Sequence, residues 1–308
     1  MWQRLGVADL LADEPQSCDK LASITGVDEG SLWRLMRALS GTGVFKRLDD
    51  GRFAPGPIGE GLRSAVPGSL RGTVITLGEI HYQACGSLLY SVQTGCPAFH
   101  RVFGTPLFSY LEQNPDASDS FNCGMSNLAA MLAYALLVAY DFANVSWMVD
   151  VGGGEGKLLE KILEFHPELN GVVFDSASTI ENVIRKSGTS TRCAYLEGDF
   201  FESVPQGAGL YLLCGVIHDW DDEHASRILR NCRRATAQNG RLLLVETVVP
   251  STNSADFSKL LDLNTLAMNG GRERTKAEFS ALLEDAGYKL TRVSSTLAPQ
   301  SIIEAVPR

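Results

Sequence analysis

Two periods alternate along the second half of the chain. Short, continuous apolar runs read as strands buried on both faces: Trp147-Met148-Val149-Asp150-Val151, Gly171-Val172-Val173-Phe174-Asp175, 193–196, Leu210-Tyr211-Leu212-Leu213-Cys214 and Arg241–Glu246. Between these runs the apolar spacing changes to the helical one, which predicts helices over 155–165, 178–186 and 222–236. Strands alternating with helices predict an α/β architecture, a doubly wound parallel sheet with helices on both faces. The last two runs, 288–293 and 301–306, read as a hairpin at the sheet edge.

The first half is patterned differently. Residues 5–17 predict a helix stopped by Pro15, and 19–27 a short helix and a turn. Asp28 is the expected cap of a longer helix carrying Leu32, Leu35, Met36 and Leu39. Residues 45–53 then read as a hairpin closed by Asp50-Gly51. Two helices and a β-wing form a winged-helix pattern. Its DNA-binding reading is weakened by the helix itself, which offers only Arg34 and Arg37 among apolar neighbours. A packing or dimerisation module is the better expectation. A Pro- and Gly-rich connector (56–69), an apolar helix (70–90) and a long helix (118–140) follow, giving domains at 1–95 and 96–308 with bridging helices over 105–140.

Composition narrows the class. The 308 residues are 44% hydrophobic and 20% charged, with net charge −9. An acidic balance disfavours a nucleic-acid partner. No apolar stretch is read as reaching the ~20 residues that span a bilayer, and the N-terminus lacks the apolar core of a secretory signal. The seven cysteines are odd in number and scattered, with no C-x-x-C pair. A reduced, cytoplasmic protein without a membrane segment, disulfide frame or zinc site is expected.

The chemistry gathers where strands end. The first sheet strand runs into Gly152-Gly153-Gly154-Glu155-Gly156, whose glycines permit positive φ and leave room for a ligand at the carboxyl end of the strand. The spacing is G-x-G-x-G rather than the G-x-G-x-x-G that seats a pyrophosphate. The acids Asp150 and Glu155 would repel phosphate but suit the ammonium and sulfonium of S-adenosylmethionine. Asp175, at the tip of the second strand, is placed for the ribose hydroxyls. Asp199 and Phe200 offer an acid for the adenine amino group and a ring for its face. The fourth strand leads into His218-Asp219-Trp220, a candidate general base on the same rim. Glu246 or Glu273 could orient its imidazole. Among the other histidines, His81 is the only rival. No G-x-S-x-G elbow and no metal-ligand spacing occur.

Taken together, these motifs resemble the two-domain, S-adenosylmethionine-dependent small-molecule O-methyltransferases of the caffeic-acid/hydroxyindole type and their bacterial natural-product branch. Leu5–Leu11 is similar to the opening of the family's dimerisation region, and Val149–Gly156 to its glycine motif. Gly198–Phe201 resembles its adenine motif, His218–Trp220 its base motif, and Asn269–Thr275 its G-G-[KR]-E-R-T loop. The resemblance implies a Rossmann-like class I methyltransferase domain behind an N-terminal winged-helix domain. It implies that Asp150, Gly152, Gly154, Asp175, Asp199, Phe200, Cys214 and Trp220 hold S-adenosylmethionine, and that no metal takes part. It further implies His218 as base with Glu246 and Glu273, an acceptor pocket of Phe103, Phe121, Asn122, Met125, Asp219, Met268 and Asn269, and an intertwined homodimer. The implied activity is methylation of a hydroxyl on a small aromatic acceptor. Alternatives are N- or C-methylation, non-methylating chemistry on the same cofactor scaffold (pericyclisation, decarboxylation, hydroxylation), and a nucleoside-sensing winged-helix regulator.

Overall fold

A computed structural model describes residues 2–187 and 191–308. The chain divides into two compact units: residues up to Ile80 with Asn114–Leu128, and His81–Gln113 with Ala129–Arg308.

In the first unit the helices Cys18–Thr25 and Glu29–Gly41 precede an antiparallel ribbon, Phe45–Arg47 with Phe53–Pro55. Asp28 caps the longer helix as expected, its Oδ1 accepting the Ser31 amide at 2.8 Å. Leu21, Leu32, Met36, Phe45 and Phe53 form the core. The helix expected over 5–17 is a single short turn, Val7–Leu10. Residues preceding Pro15 are biased away from helix, and Gln16 instead exchanges two backbone hydrogen bonds with Phe53, at 3.0 and 2.8 Å. The helix expected over 70–90 is also broken, into Arg71–Thr76, a π-turn Leu77–His81, Tyr82–Cys85 and Leu88–Thr94. Gly72, Gly78 and Gly86 weaken a helix there.

The long helix is Pro115–Ala139, its first part in the first unit and its remainder in the second. At 25 residues it is long and apolar enough to cross a membrane by length and composition alone, a test that a core helix also passes and one that corrects the expectation of no such stretch. Its interior Gly124 lies against the backbone of Thr73 within the first unit.

The second unit is built on a seven-stranded sheet: β1 (Trp147–Val151), β2 (Asn170–Asp175), β3 (Cys193–Glu197), β4 (Leu210–Cys214), β5 (Arg241–Glu246), β6 (Tyr288–Ser295) and β7 (Ser301–Pro307). The spatial order is β6-β7-β5-β4-β1-β2-β3. β3, β2, β1, β4 and β5 are parallel, and β7 pairs antiparallel with both β5 and β6. The expected edge hairpin is therefore present, with β7 rather than β6 joining the sheet. Helices Lys157–Phe165, Ala177–Ser187 and Asp222–Ala235 fall where the spacing placed them. Apolar cores cover both faces, one around Tyr211, Leu229 and Phe279, the other around Leu136, Leu159 and Leu212.

A helix the sequence reading passed over, Phe257–Met268, precedes the loop 269–275. Its cap is Asp256, which accepts the Ser258 amide at 2.9 Å. Because the parallel strands share one direction, the glycine turn, Asp175, the His218 turn and Glu246 all emerge at the carboxyl edge of the sheet.

Candidate active site

The glycine turn follows β1. Gly152, Gly154 and Gly156 have φ of 71°, 58° and 77°, in the left-handed region that favours glycine. The Gly154 amide donates to Asp175 Oδ2 at 2.9 Å, tying the turn to the tip of β2. Beneath the turn lies Asp150, fully buried, with no hydrogen-bond partner on either carboxylate oxygen. Burial, and after it the charge of Asp175, pushes the Asp150 carboxyl up to about 7. A Cβ at Gly153 would stand 2.7 Å from Asp150 Oδ2, so the turn can close over this carboxylate only as bare backbone. An orphaned buried acid under a glycine cradle fits a ligand carrying positive charge and opposes a phosphate.

The other cofactor candidates share this rim. A side chain at position 152 would meet Val216 at 2.7 Å and the Phe200 ring at 3.8 Å, so the glycine turn, the Asp199-Phe200 segment and the approach to His218 adjoin one another. Exposed Asp199 accepts the Phe201 amide at 2.8 Å. Trp220 stands edge-on to Phe201 and Phe200, with ring centroids 4.7 and 6.1 Å apart, and stacks at 6.5 Å with Phe108. Half-buried Cys214 ends β4, and burial, then the charges of Asp150 and Glu246, hold its thiol well above its usual value.

His218 sits in a 3₁₀ turn, Ile217–Asp219, just past β4. Its Nδ1 lies 2.8 Å from Glu273 Oε1, and its Nε2 lies 3.6 Å from Asp219 Oδ1. The two acids expected to orient the ring divide the work. Glu273, 3% exposed, bonds the imidazole. Glu246 Oε1 instead accepts the backbone amides of Val216 and Ile217, at 3.1 and 2.8 Å, bracing the turn from below. Burial disfavours an imidazolium here, but the charges of Asp219 and Glu246 and the bond to Glu273 outweigh it and push His218 up to about 10. Burial lifts Glu246 to about 7, the neighbouring carboxylates adding to it. His218, Glu246 and Glu273 bring one ligand atom each within 4.8 Å of one another, a set that could hold a metal ion. One oxygen of each glutamate is already committed, to the ring or to the two amides. The rival His81 faces an amide, Asn264 Oδ1 at 3.1 Å, and burial lowers its pKa.

The loop 269–275 closes over this turn. The Asn269 amide donates to Asp219 Oδ1, and the Arg272 amide to the His218 carbonyl at 2.9 Å. A Cβ at Gly271 would collide with that same carbonyl oxygen. Two contributors went unnoticed in the sequence. Asp262 accepts the Glu273 amide at 2.8 Å, and fully buried Arg274 grips residues 217–222. A lone acid inside the apolar run 257–268 and a second arginine in the 269–275 motif were the available signals. Of the acceptor candidates, Asp219 and Asn269 meet as described, and Met268 is buried one residue before Asn269. Half-buried Phe103 stacks on Phe99, centroids 4.4 Å apart. Phe121, Asn122 and Met125 belong to the first unit, on Pro115–Ala139, the first two half-buried and Met125 exposed.

This strand order, with a glycine turn after β1 and an acid ending β2, defines the Rossmann-like class I methyltransferase fold. The O-methyltransferase domain model matches residues 86–289. The phenazine O-methyltransferase PhzM of Lysobacter antibioticus is 40% identical over 307 residues, covering 99% of this chain and 90% of that protein. The crystal structure of LaPhzM superposes with a TM-score of 0.95 at 39% identity, covering 99% of this chain and 93% of that one. NcsB1, an O-methyltransferase from neocarzinostatin biosynthesis solved with S-adenosylmethionine and 2-hydroxy-5-methyl naphthoic acid, gives 0.83 at 33% identity, covering 99% and 94%. The chain belongs to the O-methyltransferase family, whose chemistry is S-adenosylmethionine-dependent methyl transfer.

Proposed function

We propose that this enzyme methylates a hydroxyl of a small aromatic acceptor, with His218 as the base. The observation that carries the reading is the His218–Glu273 pair, 2.8 Å apart, on a turn that adjoins the glycine cradle. When bound, S-adenosylmethionine supplies an electrophilic methyl on a sulfonium whose positive charge opposes an imidazolium nearby. Asp150, Asp175 and the glycine turn hold the cofactor's charged and ribose ends, with Gly152 leaving the approach open. Asp199, Phe200 and Trp220 would hold its adenine, and Cys214 would contact the cofactor beside them.

The acidic surroundings give His218 a strong hold on a proton taken from the acceptor hydroxyl at Nε2. Glu273 fixes the tautomer through Nδ1 and stabilises the imidazolium formed. Positioning supplies up to ~7–11 kcal/mol of barrier lowering where alignment is near ideal, and proton removal a further ~10²–10⁴-fold. Asp219, Asn269, Met268 and Phe103 contact a flat, largely apolar acceptor; the sequence candidates Phe121, Asn122 and Met125 lie in the other unit. No metal is required by this scheme. The two-domain division at 1–95 and 96–308, a winged-helix homodimer and a cytoplasmic location complete it. The aromatic acids and phenazines handled by the relatives support the acceptor class.

The test is a mass-shift screen of phenols, hydroxynaphthoates and hydroxyphenazines, counting S-adenosylhomocysteine released per product. One equivalent per methylated hydroxyl supports the assignment. Product without S-adenosylhomocysteine, or no product across the panel, removes it.

A further inference from the structure

Arg274 has no part in the scheme above, yet it is the largest fully buried side chain among the described residues. A guanidinium has five N–H donors in a rigid fork and no means of losing its charge. Here Nε and Nη2 both reach Asp222 Oδ1, at 2.9 and 2.8 Å. Nη1 reaches the Ile217 carbonyl at 3.1 Å and that of Arg272 at 3.3 Å, and Nη2 reaches the Trp220 carbonyl at 2.9 Å. The carbonyls of Ile217 and Trp220 flank His218 and Asp219 in sequence. Asp222 opens the helix Asp222–Ala235 that follows. Residue 274 thus fastens both ends of the turn that carries His218, while its neighbour Glu273 bonds the ring itself.

Ordinary packing would not arrange this. A buried cation is costly unless every donor is answered, and its carboxylate partner, Asp222, is 59% exposed. Stability alone would be served as well by an apolar side chain of similar volume. What the fork adds is direction: it sets the backbone of 217–220 against the strand Arg274–Thr275, which pairs with Val248–Val249 just after β5.

We infer that Arg274 is a positioning residue for the methyl transfer, locking the His218 turn so that the imidazole meets Glu273 on one side and offers Nε2 on the other. The inference rests on His218 being the base. A lysine cannot reproduce the fork, because its ammonium is a point charge without fixed directions.

The test uses the full-length enzyme labelled with ¹⁵N-histidine; the five histidines keep the ring spectrum readable, and His218→Asn assigns the signal. In Arg274→Met and Arg274→Lys, the His218 ring titration should fall by one unit or more towards an ordinary histidine (~6.5). With the acceptor found by the screen, turnover should fall about 10²-fold, as for a misplacement of ~1 Å. Millimolar guanidinium added to Arg274→Ala should restore part of the turnover without raising Tm. If either folded variant keeps the His218 titration within a few tenths of a unit, the inference is overturned. It is also overturned if lost turnover simply tracks lost Tm. A His218→Ala enzyme with wild-type turnover would instead remove the base itself, a separate failure from an unmoved titration.

Discussion

The glycine turn and the His218 turn lie on the same rim and are built in opposite ways. Around His218, side chains and backbone close on one another. Glu273 bonds the ring, Glu246 two amides, Arg272 and Arg274 three carbonyls of the turn, and Asn269 the carboxylate of Asp219. Under the glycine turn, Asp150 is fully buried and has no partner on either oxygen. One turn is tied on every side, with a single unanswered oxygen left on each of Glu246 and Glu273. The other holds an electrostatic debt that a cation can settle. The difference teaches that the geometry of the imidazole is set by the fold itself, whereas the buried charge beneath the glycine turn is left uncompensated.

The contrast is broken most directly at His218. His218→Ala should cut turnover by ~10²–10⁴-fold while cofactor affinity, measured by calorimetry, stays close to wild type. A matching loss of affinity would mean the two turns are not independent.

Glu273→Gln should follow, with turnover down roughly 10²-fold. The free enzyme's kcat/KM should rise with pH, because the base works only after losing its proton, and its limb should lie towards about 10. Removing the Glu273 charge should bring that limb down. Glu246→Gln, which leaves the ring contact in place, should cost less. Equal costs would contradict the division of work between the two glutamates.

On the other side, Asp150→Asn should weaken S-adenosylmethionine binding about tenfold at pH 8 and flatten its pH dependence. In the wild type the carboxylate form binds a cation better, so affinity should fall as pH drops below about 7. The same substitution should stabilise the cofactor-free protein. A carboxyl whose folded value is raised costs stability increasingly from its ordinary value up to about 7, and by a constant amount above that. A gain on the order of 1–3 kcal/mol in urea unfolding at pH 8 is expected. A loss would show that Asp150 has a partner.

The smallest effect belongs to Thr275, whose side chain and Glu278 cap the next helix reciprocally. Thr275→Ala should lower stability by about 1 kcal/mol and leave both pH profiles where they were. A shifted limb would extend the His218 lock one residue further along the loop.

How much of this was legible in the sequence depends on the range of the interaction. The positive φ of Gly152, Gly154 and Gly156, the caps at Asp28 and Thr275, and the strand and helix spans of the sheet follow from neighbours a few positions away. The shortened helix near Pro15 was misread because Gln16 takes its backbone bonds from Phe53, a partner that local spacing cannot supply. The broken helix over 70–90 was misread because its apolar spacing outweighed three glycines.

By itself, the sequence determined the alternation of elements, the glycine cradle and the presence of a histidine followed by an acid after the fourth strand, because periodicity, φ preference and capping are local properties. Tertiary structure decided that Glu273, 55 positions from His218, bonds the ring while Glu246 braces the backbone. It also decided that Arg274 answers carbonyls 57 and 54 positions away. Those choices depend on which groups are brought face to face in a dry interior, where an unanswered charge is expensive, and no spacing along the chain encodes that.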